Sequence, residues 1–139
     1  MDERELEIKE LIGQGEMLYS SDQYDEAIKY YDKALQLDSR NTQAMFRKSE
    51  ALIMNDKTDE AKKLLYAISE IDDGNGEIYF HLGNIALLEG EVTEGKALMT
   101  KAIKSGFVNE HVYINLGIAE EEDDDSTEIR NGGFGSTTK

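Results

Sequence analysis

Glu77 and His81 stand four residues apart, one turn of a helix, and His111 follows thirty residues later. Two imidazoles and a carboxylate are the donor set that holds a divalent transition metal with open coordination positions. A ligating histidine also needs a second partner on its other ring nitrogen, and the sequence offers none that can be named. The set therefore reads as two partly exposed histidines beside a salt-bridging glutamate. "GNG" at 74–76 reads as a turn between repeats, and "GGFG" at 132–135 has no preceding strand, so neither is a phosphate cradle. No serine has an obvious histidine base. The chain has no cysteine, so thiolate catalysis, thiolate metal sites and disulfides are excluded. The expectation is a protein without catalytic residues, metal or cofactor.

Charge narrows the partners. Thirty acidic against fifteen basic residues give a formal net charge of −15, which repels nucleic acid and anionic lipid. The longest apolar runs fall far short of the roughly 18 residues that a membrane span requires. The opening "MDERELEIKELI" mixes charge into every turn, unlike a secretory signal. A cysteine-free, strongly acidic chain fits the cytoplasm.

The elements that carry these residues are helical. In "YDEAIKYYDKAL", Tyr24, Ala27, Ile28, Tyr31, Ala34 and Leu35 follow the i, i+3, i+4, i+7 rule and share one face. Proline is absent and no stretch alternates as a strand would, so the fold is expected to be all-α. Sliding the sequence by 34 residues superimposes Gly15 on Ser49, Gly83 and Gly117, and Ala27 on Ala61 and Gly95. Asn41, Asn75 and Asn109 also recur, each before an amphipathic segment, where a side-chain oxygen can cap a helix start. The breaks "SSDQ", "NDK" and "EGE" divide each unit into two helices, A and B. Helix pairs at this period build an α-solenoid, and the small columns are where neighbouring helices approach closely.

The pattern resembles the tetratricopeptide repeat family. "LIGQGEMLYSSDQYDEAIKYYDKALQLDSRN" places Gly15, Tyr24, Ala27, Tyr31 and Ala34 on signature positions, and "IYFHLGNIALLEGEVTEGKALMTKAI" does so with Leu82, Gly83 and Ala102. Three full repeats are expected at 8–41, 42–75 and 76–109, then a capping helix at 110–121, so that the repeat domain spans 1–122. The proline that usually ends each unit is replaced by Ser39, Asp73 and Phe107, and Gln14 and Lys48 occupy positions where leucine is usual. From Glu120 the chain becomes "EEEDDDSTEIRNGGFGSTTK". Such composition does not repay the entropy of ordering, and 123–139 is expected to be a disordered, solubilising tail.

The resemblance implies a protein-interaction module with a concave groove lined by A helices. Its apolar members would be Ile12, Tyr19, Phe46, Ile53, Phe80, Leu87 and Ile114, and its polar members Glu16, Arg47, Glu50, His81 and Asn84. An apolar groove with an acidic edge suits a basic or amphipathic peptide or helix of a partner protein. One branch of the family grips the C-terminal carboxylate of heat-shock chaperones with lysines, asparagines and an arginine. The matching positions here read Ile12, Glu16, Arg47, Glu77 and His81, and two glutamates would repel a carboxylate. That role is rejected for this groove. The alternative function is a self-associating scaffold, a homo-oligomer paired through Tyr113, Leu116 and other side chains that an incomplete fourth repeat leaves uncovered.

Overall fold

Asn41, Asn75 and Asn109 each open a helix. Their side-chain oxygens accept from the backbone N–H of Ala44 at 2.9 Å, Glu77 at 3.2 Å and Val112 at 3.0 Å, satisfying donors that a first helical turn leaves free. Asp2 caps the first helix in the same way through the N–H of Glu5, at 2.8 Å. Each cap contributes about 1 kcal/mol.

The computed structural model describes residues 1–131, with side chains through 122. The helices are α1 (Glu3–Ser20), α2 (Tyr24–Leu37), α3 (Thr42–Met54), α4 (Thr58–Ile71), α5 (Gly76–Leu88), α6 (Val92–Lys104) and α7 (Glu110–Asn131). Among the described residues there is no strand. The turns inside the pairs fall on "SSDQ", "NDK" and "EGE", and each contains one residue in the left-handed region: Asp22 (φ 62°), Asp56 (φ 61°) and Gly90 (φ 81°). These positions are again 34 residues apart. Glycine adopts that conformation freely and aspartate at modest cost, so each turn closes in three residues without proline.

Contacts group the helices into two compact units, Met1–Asp73 and Gly74 onward. In the first, α1 packs on α2 and α3, α2 on α3, and α3 on α4. One core cluster joins Ile8, Ile12, Ala27, Tyr31, Ala34, Ala44 and Ala51, and Leu65 and Ile68 on α4 are fully buried. Gly15 makes room for Tyr31: a Cβ there would stand 2.4 Å from the ring's Cε1, which is closer than two carbons can approach. In the second unit, α6 packs on α5 and α7, and α5 also meets α7. Met99 lies over Gly83 at 3.0 Å from where a Cβ would stand, and Leu87 lies over Gly95 at 2.5 Å. The small columns thus do the packing work expected of them, with one departure. Gly117 occupies the same column as Gly15, yet nothing lies within 4 Å of a Cβ placed on it.

The capping helix also differs from its expected bounds. Helix α7 continues to Asn131, beyond the expected end at 121 and into the stretch assigned to the acidic tail. Glutamate is a good helix former, and adding residues to an existing helix avoids the cost of a new nucleus. The rest of the expected tail, 132–139, lies outside the described residues.

Candidate functional site

Glu16 and Tyr19 share one face of α1, and Arg47 and Glu50 share one face of α3, because residues three apart on a helix are neighbours. The two faces meet at Arg47. Its Nη1 donates to Glu50 Oε1 at 2.9 Å, and its Nε lies 2.9 Å from Glu16 Oε2. The Nε contact is an ion pair without hydrogen-bond geometry, since Nε is buried and its N–H finds no acceptor. Burial works against the guanidinium charge, but the Glu50 hydrogen bond and the charges of Glu50 and Glu16 outweigh it and raise its pKa above the ordinary value. All three side chains are 30–41% exposed, and ion pairs of this exposure add little to stability. Their effect is to hold the guanidinium in place.

Beside this triad a cavity of about 230 Å³ is lined by Glu16, Tyr19, Ser20, Tyr31, Arg47 and Glu50. Tyr31 is 1% exposed. Burial first, then the Glu16 charge, push its hydroxyl up to about 12, with Arg47 opposing and Glu50 adding. Burial and Glu50 raise Tyr19 in the same direction. Both phenols therefore stay neutral and able to donate at any physiological pH. The Tyr19 ring is held edge-on against Tyr24, with centroids 5.3 Å apart, and Phe46 is half-buried next to Arg47, whose Cζ is 5.9 Å from its ring centroid.

The expected groove residues separate into three groups. In the first unit Glu16, Tyr19, Phe46, Arg47, Glu50 and Ile53 are partly exposed. Ile12 is not: at 3% exposure it belongs to the core cluster with Ile8 and Ala44. Helix α1 packs against both α2 and α3, so the flank of α1 that carries Ile12 is covered as well as the flank that carries Gly15. In the second unit Phe80, His81, Asn84 and Leu87 are partly exposed and Ile114 is 52% exposed. Phe80 packs on Phe107 and on His81, with centroids 5.3 Å apart in each case. The Asn115 side-chain nitrogen donates to the Asn84 oxygen, and Leu87 rests on Gly95.

His81 Nε2 is 3.7 Å from Glu77 Oε2, and His111 is exposed on α7. Among the described residues, no group of three or more histidine, aspartate and glutamate side chains is arranged to hold a metal ion, and no helix is long and apolar enough to cross a membrane. Sequence reasoning missed Tyr31 as a member of the first unit's cavity, having assigned it to packing, and missed Ser20, Asn115 and Phe107. Tyrosine in a column that holds leucine and methionine in the later repeats, Leu65 and Met99, was the available signal, because only tyrosine brings a hydroxyl.

Residues 18–73 match the sequence model of the tetratricopeptide repeat, and solved tetratricopeptide repeat domains share the fold across most of the chain. Residues 18–73 thus form a tetratricopeptide repeat segment within an all-α helical repeat fold. The first such domain of Spaghetti (RPAP3), solved with the HSP90 peptide SRMEEVD, is 17% identical with a TM-score of 0.77, over 84% of this chain and 93% of that one. The Sgt2 domain from Aspergillus fumigatus is 15% identical with a TM-score of 0.79, over 88% and 82%. The Yersinia enterocolitica type III secretion chaperone SycD, solved with a peptide of the translocator YopD, is 16% identical with a TM-score of 0.77, over 83% and 93%. At these identities the likeness is one of fold, the all-α helical repeat. No curated protein matches this chain in sequence.

Proposed function

We propose that this chain, with its tetratricopeptide repeat segment at 18–73, is a non-catalytic interaction module whose A helices hold a peptide or helix of a partner protein. The observation that carries the reading is the α1–α3 face of the first unit, where Tyr19, Phe46 and Ile53 stay partly exposed beside a fixed charged triad. Aromatic anchors ringed by polar groups are the usual composition of a binding hot spot. Two structures of the same fold, those of RPAP3 and SycD, contain peptides of other proteins, which supports the module reading. A chaperone C-terminal carboxylate is a poor guest here. Arg47 is engaged by Glu16 and Glu50, and Ile12, on another of the matching positions, is buried.

Selection from a random peptide display library against the purified chain tests the proposal. Enriched peptides should bind saturably, and Phe46→Ala should weaken them by about 2 kcal/mol while circular dichroism stays unchanged. A library that yields no binder, or binders indifferent to Phe46→Ala, overturns it.

Self-association is favoured by one separate feature. Tyr113, Ile114 and Ile118 on α7 are 51%, 52% and 47% exposed, and Gly117 between them has open space above it. On this second reading, sedimentation shows a dimer at high protein concentration that Ile114→Glu dissociates. A monomer at every concentration removes it.

A further inference from the structure

The first unit's cavity holds more acid than base. Glu16 and Glu50 bring two carboxylates against the single guanidinium of Arg47, and the faces of that guanidinium nearest them are already taken up at 2.9 Å. Each carboxylate keeps a second oxygen outside those contacts. The floor is Tyr31, whose side chain is 1% exposed and whose hydroxyl makes no hydrogen bond among the described residues. A phenol hydroxyl that lines a cavity can be satisfied by what enters it. At about 230 Å³, the space is below the roughly 300–1,000 Å³ usual for small-molecule sites and is on the scale of one long side chain.

The geometry points to this cavity as a subsite for one lysine or arginine side chain of a partner segment, its cation shared between the free oxygens of Glu16 and Glu50 and its donors meeting the Tyr31 hydroxyl. The charge count decides the sign: an anion would meet two carboxylates, whereas a cation completes a set of two acids and two bases. The Tyr19 ring adds a wall against which a cation is also attracted. Burial raises the Tyr31 phenol most, and Glu16 and Glu50 add to it against Arg47 by disfavouring negative charge at its oxygen. The inference deepens the module reading by naming one side chain of the guest.

The test is a nuclear magnetic resonance titration of the full chain with N-acetyl-lysine methylamide and N-acetyl-arginine methylamide, alongside the norleucine and glutamate analogues. Saturable shifts are expected at the amides of 16–20, 31 and 47–50 with the two cationic probes. Norleucine should give none. Raising the salt to 0.5 M should weaken binding several-fold by screening. Glu16→Gln/Glu50→Gln should weaken the lysine probe at least tenfold, and Tyr31→Phe, which keeps the ring over Gly15, about threefold. No saturable shift with either cation, equal shifts from norleucine, or preferential binding of the glutamate probe each overturn the assignment. The two readings fail separately. Library peptides that need Phe46 but no basic residue leave the module standing and sink the subsite, whereas probe binding without any library peptide does the reverse.

Discussion

A chain carrying Gly15→Val is expected to lose about 3 kcal/mol in urea unfolding followed by far-ultraviolet circular dichroism. A Cβ at residue 15 falls 2.4, 2.8 and 2.9 Å from three ring carbons of Tyr31. That ring is 1% exposed and packed into the core cluster of the first unit, so it has less room to swing aside than the end of an exposed chain would. Overpacking of this kind costs roughly 1–3 kcal/mol, which outweighs the small helix-propensity gain of valine over glycine. The control lies two residues earlier. Gly13 has nothing within 4 Å of where a Cβ would stand, so Gly13→Ala should gain up to about 1 kcal/mol from helix propensity alone. Equal behaviour of the two glycines would show that the small column has no packing role.

Most of the fold was legible because the repeat imposes residue types, not merely polarity. Asn41, Asn75 and Asn109 could be recognised as caps because few side chains can accept from a free first-turn N–H, and all three do so. The left-handed turn column escaped notice. Asp22, Asp56 and Gly90 share no size, charge or hydropathy; they share only tolerance of positive φ. Ile12 was misplaced for a different reason. Helical periodicity identifies a face, but it does not say whether a second neighbour, here α3, covers the adjoining flank. The extension of α7 to Asn131 was hidden by composition, since a run of acids reads as solvated whether or not it is helical.

The candidate site was legible residue by residue and illegible as a unit. Glu16, Tyr19, Arg47 and Glu50 could each be assigned to an A-helix face, yet the ion pair joining Glu16 to Arg47 spans 31 residues of sequence and depends on how α1 and α3 pack. Once that pair forms, Arg47 changes meaning. A lone arginine beside aromatic residues would read an acidic guest, whereas an arginine held by two glutamates leaves the surface acidic. The same substitution of context changes Tyr31 from a core residue to the floor of a cavity, without any change in its burial.

In the second unit, the close approach of Met99 to Gly83 allows the packing argument to be tested as a coupling. Met99 is fully buried, and Met99→Ala should cost about 3 kcal/mol, within the usual range for truncating a core methionine. Gly83→Ala alone places a methyl 3.0 Å from the terminal carbon of Met99 and 3.4 Å from its Cγ. The side chain can yield there because its end is flexible, so crowding should roughly offset the helix-propensity gain of about 1 kcal/mol and leave stability nearly unchanged. Combined with Met99→Ala, the same methyl enters space from which both Met99 atoms have gone, leaving Leu98 Cβ at 3.3 Å as its remaining neighbour. The double variant should then be more stable than Met99→Ala by about 1 kcal/mol, a non-additivity expected only of residues in contact. Gly117→Ala supplies the reference, because with nothing within 4 Å its effect should be the same in either background. If Gly83→Ala also contributes equally with and without Met99, then the glycine column is not set by the approach of the neighbouring helix, and the recurring small residues need another physical cause.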